Sequence, residues 1–149
     1  MLGRAIGLAV ANVSAGGGPF GAVVVTPDGR VFDGVNRVTR DNDPTAHAEV
    51  VAIRTACREL GTFVLAGSVL YASCEPCPMC LATALWARVA SVRYAADRHA
   101  AAAVGFSDAA FYEYMTGTDR SAMTVARVEH DRAHEPFAAW ERHAGRVPY

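Results

Sequence analysis

Two short stretches carry the residues most capable of chemistry. "PTAHAEVVAI", residues 44–53, places His47 and Glu49 two apart at a predicted helix start, and "CEPCPMC", residues 74–80, contains Cys74, Cys77 and Cys80. On a helix, positions i and i+2 point about 200° apart, so His47 and Glu49 converge only on something beyond the helix's N-terminal end. Cys77 and Cys80 are three apart at a second helix start, a spacing that brings two sulfurs to one face and within reach of one ion. A CxxC alone also fits a redox dithiol or half of a four-cysteine zinc site, but no separate second CxxC exists to complete four ligands. His47 fills the gap. One His and two Cys leave the fourth tetrahedral position to water, the arrangement of a catalytic rather than a closed structural zinc. On this reading Glu49 faces the water of a zinc whose effect is to lower that water's pKa to roughly 7. As a general acid/base it would pass the proton to a ring nitrogen, so that hydroxide adds to an amidine-like carbon and ammonia leaves. Both helix starts aim positive dipole ends at the site and favour thiolate and hydroxide there.

Taken singly, a helical His or Glu is most often a solvated or hydrogen-bonded surface residue. Taken together, H-x-E followed by P-C-x-x-C matches the signature of zinc nucleoside and nucleobase deaminases.

The elements that must position these residues follow from periodicity and turn chemistry. Residues 2–15 predict a first helix; "FGAVVV", the turn "TPDG" and "RVFDGVNRV" predict an antiparallel hairpin with Asn36 near its end. A second helix is expected from about Thr45 to Leu60, begun by Pro44 and ended by Gly61, with Val50, Ile53, Cys57 and Leu60 on one stripe. "SVLYAS" predicts a third strand, Pro78 starts a third helix, and "VASVRYAA" predicts a fourth strand. Residues 108–115 read as helical, and "SAMTVARVEH" and "EPFAAWERHA" as a last strand and helix. The pattern suggests a three-layer α/β/α domain over residues 1–149 with a central, mixed sheet of about five strands.

Composition agrees with one catalytic domain. A chain of 149 residues is long enough to bury a core, and 52% hydrophobic with 19% charged residues excludes disorder. A net charge of −1 offers no broad basic footprint for nucleic acid. No charged-then-apolar leader opens the chain, and no apolar run approaches the roughly 20 residues a membrane span needs, so a cytoplasmic enzyme or binding domain is expected.

Beyond the metal motif, "GGPFGAVVV", "NDPTAHAEVVAIRTAC", "YASCEPCPMCLATALWAR", "YAADRHAAAAVGFSDAAFY" and "EPFAAWERHAGRVPY" together resemble the bacterial guanine deaminases of the cytidine/deoxycytidylate deaminase superfamily. The similarity covers nearly the whole chain, and "GFSD" and the terminal "PFAAW" to Tyr149 segment set it apart from tRNA adenosine deaminases. The resemblance implies one zinc per chain held by His47, Cys77 and Cys80, Glu49 as proton shuttle, and a small-molecule purine, guanine, deaminated at C2 to xanthine. It further implies that Asn36 and the Ala48 backbone hydrogen-bond the purine and that Phe20 and Trp86 contact it. Asp108 would meet the 2-amino edge and help ammonia leave, and Tyr149 would close the site. Relatives exchange the C-terminal segment, here about 136–149, so a homodimer is expected with Tyr149 acting in the partner's pocket. Ala100 and Ala103 stand where the family has acidic residues, a departure that bears on substrate preference rather than on zinc.

From the residues alone, Phe20 and Trp86 read equally well as core aromatics, Asp108 as a helix N-cap and Tyr149 as a frayed end. Cys74 reads as an inert buried thiol or a spare ligand, and the Gly16–Gly18 run as a flexible connection or a close backbone approach to a ligand. Competing functions are deamination of guanosine, cytosine, an amino-triazine or tRNA adenosine, the last needing a basic groove, and a non-enzymatic domain with a structural zinc.

Overall fold

A computed structural model describes residues 1–149. In chain order the elements are α1 (Leu2–Ser14), β1 (Gly21–Val25), β2 (Val31–Val35), α2 (Val38–Asp41), α3 (Ala48–Leu60), β3 (Val69–Cys74), α4 (Pro78–Trp86), β4 (Ser91–Ala96), α5 (Arg98–Ala103), α6 (Ala109–Thr116) and α7 (Glu135–Arg142). The sheet order is β2-β1-β3-β4; β1 pairs antiparallel with β2 and β3, and β3 pairs parallel with β4. The parallel pair needs a crossover, and α4 supplies it.

Alternation along β1 defines the layers. Ala22 and Val24 join Ala48, Ala52, Ile53, Ala56, Ala84 and Ala87 of α3, α4 and the turn after α4 in one apolar cluster. Gly21 faces the other way, where a Cβ would lie 2.7 Å from Ala9 N of α1. Residues 21–24 are buried without interruption because both faces of this central strand are covered.

The hairpin forms as its turn residues require: Thr26 N–H donates to Arg30 O at 3.0 Å, Gly29 N–H donates to Thr26 O at 2.9 Å, and Gly29 takes φ 85°. Helix α3 departs from expectation at its start. The Asp43 carboxylate accepts from Thr45 N–H at 2.8 Å and from its hydroxyl at 2.7 Å, which holds residues 43–46 in a turn. The helix therefore begins at Ala48 with His47 as its extended N-cap, and Gly61 ends it with φ 64°.

The sheet has four strands, not five. The 121–130 segment that reads as a strand pairs with nothing and is exposed throughout, with Val125 at 74% and Val128 at 84%. Alternation signals a capacity to pair, and no partner edge reaches this segment within the chain. From Gly117 to Tyr149 no residue is buried. No helix is long and apolar enough to cross a membrane.

Helix α3 lies unusually close to β2. A Cβ on Gly34 would sit 2.5 Å from Ala52 N and would collide with the Ala48 carbonyl. Gly34→Ala should therefore lift the helix that carries His47 and Glu49 and destabilise the fold by about 2–3 kcal/mol. Urea denaturation measures this; an unchanged midpoint would mean that α3 is not seated at this distance.

Candidate metal centre and active-site cleft

The two short stretches meet because each contains the N-cap of a helix. His47 precedes α3, and Cys77 precedes α4 with Pro78 in its first turn, where proline's missing N–H costs nothing. His47 Nδ1 lies 3.6 Å from Cys77 Sγ and 3.5 Å from Cys80 Sγ, and the two sulfurs are 3.6 Å apart. Zinc–nitrogen and zinc–sulfur bonds of about 2.0 and 2.3 Å at tetrahedral angles require edges of about 3.6 Å (N to S) and about 3.8 Å (S to S). The triangle fits that ion without rearrangement. These three are the residues whose ligand atoms cluster within reach of one ion; Cys74 instead directs its thiol to the Asp97 carbonyl at 3.5 Å.

Electrostatics in the triangle favour thiolate at Cys77. The hydrogen bond from Cys80 and then contact with His47 pull the Cys77 thiol down to about 4, and the same hydrogen bond, with burial, pushes Cys80 up. Hydrogen bonding to Cys77 raises His47 against the opposing effect of burial. A bound metal would hold both cysteines deprotonated. Glu49 follows His47 by two residues in α3's first turn and is 7% exposed. Burial raises its pKa above the usual carboxylate value, partly offset by hydrogen bonds from its own backbone and Cys80.

This group stands in a cleft of about 710 Å³ whose lining includes Phe20, Asn36, His47, Glu49, Cys77 and Asp108. Asn36 is buried just past β2, and Asp108 occupies the position before α6 without a side-chain capping bond. Ala48 is fully buried between His47 and Glu49, and its N–H is among the first-turn amides that a helix leaves without an intrahelical partner. Trp86 and Tyr149 are elsewhere. Trp86 lies at the far end of α4, 67% exposed, because eight residues of helix carry it about 12 Å from the Pro78 end. Tyr149 lies beside it with ring centroids 5.8 Å apart, and beside Phe63 at 6.4 Å.

Several cleft residues were not singled out by sequence. Phe106 meets Phe20 edge-on at 5.1 Å, and the "GFSD" stretch that carries it was the available signal. The Arg98 guanidinium stacks 4.5 Å over the Tyr112 ring, and Arg98 N–H donates to the Glu75 carboxylate at 3.0 Å, tying α5 and α6 to the cysteine loop. Glu75 sits inside the cysteine motif, but nothing in the sequence pairs it with Arg98.

A cleft floored by a His-Cys-Cys triangle and a buried carboxyl, on a mixed sheet with the cap residues of two helices converging, defines a class of zinc deaminases. The chain belongs to the cytidine and deoxycytidylate deaminase zinc-binding family, whose model matches residues 2–96. Within it, the chain is 46% identical to the guanine deaminase of Bacillus subtilis strain 168 over 99% of this chain and 96% of that one. The crystal structure of the Bacillus subtilis guanine deaminase superposes with a TM-score of 0.94 at 45% identity, over 99% of this chain and 96% of that chain. The guanine deaminase of Nitrosomonas europaea superposes with a TM-score of 0.67 at 34% identity over 72% of this chain and 63% of that chain. The tRNA-specific adenosine deaminase of Agrobacterium fabrum is 48% identical, but over only 53% of this chain and 52% of its own.

Glu49's burial has a testable consequence for stability. Its folded-state pKa is raised, so between its ordinary value near 4.5 and the raised value the folded state binds more protons than the unfolded one. Stability therefore falls as pH rises through that window, and ionised Glu49 costs stability at neutral pH. Metal-free Glu49→Gln protein should melt higher than the parent at pH 7, with the gap closing below about pH 4.5. Equal melting temperatures at pH 7 would contradict the desolvation of this carboxyl.

Proposed function

We propose that the chain deaminates guanine hydrolytically, converting guanine and water to xanthine and ammonia in cytoplasmic purine catabolism. One observation carries this: the His47, Cys77, Cys80 triangle, with tetrahedral-zinc edges, beside buried Glu49 in a cleft of about 710 Å³, with room for a purine. The whole-length likeness to a guanine deaminase supports the choice of base. Zinc, one per chain, would supply a Lewis acid that lowers the pKa of a water to about 7.

The chain's own residues do the rest. Glu49 takes the attacking water's proton and delivers it to the ring nitrogen beside C2 as the C2–O bond forms. It then takes the remaining proton from the new C2 hydroxyl and passes it to the amino group, so that the C2–N bond breaks, ammonia departs and a carbonyl remains at C2. A carboxyl whose pKa burial has raised suits a group that must both accept and give a proton near neutrality. Asn36 and the Ala48 N–H orient the base, Phe20 lies against its face, and Asp108 meets the 2-amino edge and assists ammonia.

Tyr149 is assigned to the partner's cleft in a homodimer that exchanges residues from about 136 onward. No residue of the tail is buried in its own chain, where Tyr149 meets only the exposed rings of Trp86 and Phe63, and it carries Phe137 at 68% and Trp140 at 43% exposure three residues apart on α7. Beyond Gly145, Pro148 keeps Val147 extended and stiffens the approach of the last residue. The own-chain Trp86 does not reach its own cleft, so its proposed base contact is withdrawn there.

Glu49→Gln should keep zinc and fold while losing about 10²- to 10⁴-fold in guanine turnover, and Cys80→Ala should lose zinc by elemental analysis. A rate loss under about threefold, or active zinc-free protein, would refute the mechanism. For the tail, mixing inactive Glu49→Gln chains with inactive chains lacking residues 146–149 should restore one complete site per heterodimer. No recovery after verified subunit exchange would place each tail with its own chain or with none.

A further inference from the structure

The buried stripe of α1 consists of Ala5, Ala9 and Asn12, and Asn12, at 4% exposure, is its one polar member. A polar side chain on an otherwise apolar stripe must find partners or destabilise the fold. Asn12 Nδ2 donates at 2.8 Å to the Gly18 carbonyl and at 2.8 Å to the Asn36 carbonyl, using both of its hydrogens. Its Oδ1 accepts from Arg40 at 3.4 Å, and its own carbonyl accepts from Gly17 N–H at 2.9 Å.

The two carbonyls belong to segments that flank the cleft. Phe20 N–H donates to Gly18 O at 2.8 Å, and Asn36 N–H donates to Phe20 O at 3.1 Å, so Gly18, Phe20 and Asn36 form one strip that Asn12 grips from behind. The glycines fit this grip: a Cβ on Gly17 would lie 2.7 Å from Asn12 Cγ, and one on Gly18 would lie 3.0 Å from Asn36 Oδ1. Asn36 Oδ1 is held by Val38 N–H at 3.3 Å, which leaves its Nδ2 as the end without a protein partner.

We propose that Asn12 is a positioning residue for purine binding: through the Gly18 and Asn36 carbonyls it sets the placement of the Asn36 amide and of the glycine strip against the base. The inference rests on the reading of Asn36 as a purine-binding group. Asn12 touches no reacting atom, so it acts on binding and leaves the zinc and proton-transfer steps alone. Without it, the Asn36 carbonyl loses its donor and the Gly18 carbonyl keeps only Phe20 N–H, so the strip is free to relax across the cleft.

The test uses zinc-loaded full-length Asn12→Ala, Asn36→Ala, the double variant and Gly17→Ala, with zinc content and melting temperature recorded beside kcat and KM for guanine. Asn12→Ala should raise KM about 5- to 30-fold, as expected for two hydrogen bonds, with kcat within about twofold and zinc retained. Combined with Asn36→Ala, it should add far less than its own effect, because the second change has nothing left to position. Gly17→Ala, whose methyl displaces the Asn12 amide without removing it, should raise KM in the same way and decides the matter if Asn12→Ala does not fold. A lowered melting temperature with unchanged KM, or full multiplication of the two effects in the double variant, overturns the inference and leaves the Asn36 reading standing. Unchanged KM in Asn36→Ala overturns both.

Discussion

Everything at this site depends on how closely α3 can approach the sheet. Ala48, Ala52 and Ala56 are all fully buried, and opposite them Gly34 leaves no Cβ to hold the helix away. Small side chains on both surfaces let the helix start descend to the level of the β3–α4 turn. There its cap meets the cap of α4, and His47 comes within 3.6 Å of Cys77. A larger residue at any of these positions would separate the two caps by more than the tolerance of a zinc–ligand bond, which is a few tenths of an ångström.

The convergence of two helix N-termini also sets the electrostatics. Each presents orphan amides and the positive end of its dipole, favouring thiolate at Cys77 and anionic species between them. Glu49 sits at the same place but is buried, so its carboxyl is pulled toward neutrality while its surroundings favour anions. That opposition yields a group able to hold a proton at one stage and release it at the next. Its cost in stability is the ordinary consequence of keeping a titratable group out of water for function.

The C-terminal third follows a different logic. Helices α6 and α7 and the chain between them bury nothing, while the apolar residues they carry remain exposed. A segment of this composition gains stability only by covering another surface, and the open outer edge of β4 is part of what the chain leaves uncovered. The cleft, at about 710 Å³, is likewise larger than one flat base would fill.

The sequence by itself determined the local features: the hairpin from Pro27, Asp28 and Gly29, the end of α3 at Gly61 and the start of α4 at Pro78, and it offered His47, Cys77 and Cys80 as a candidate ligand set, which the fold brings together. Each depends on contacts within a few residues, and turn and cap chemistry are legible at that range. Tertiary structure decided what lies further apart. The Asp43 turn, a single side-chain choice, moved His47 from a helical position to its cap and so resolved how His47 and Glu49, two apart, line one cleft. The 121–130 alternation met no sheet edge, so four strands formed where five were expected. Trp86 was carried away from the cleft by the length of the helix that Cys77 begins, and Asn12 was joined to Asn36 across 24 residues by a hydrogen bond that no local pattern encodes. Spacing specifies which groups can share an ion, but long-range packing specifies which groups surround it, because that depends on surfaces brought together only when the chain folds.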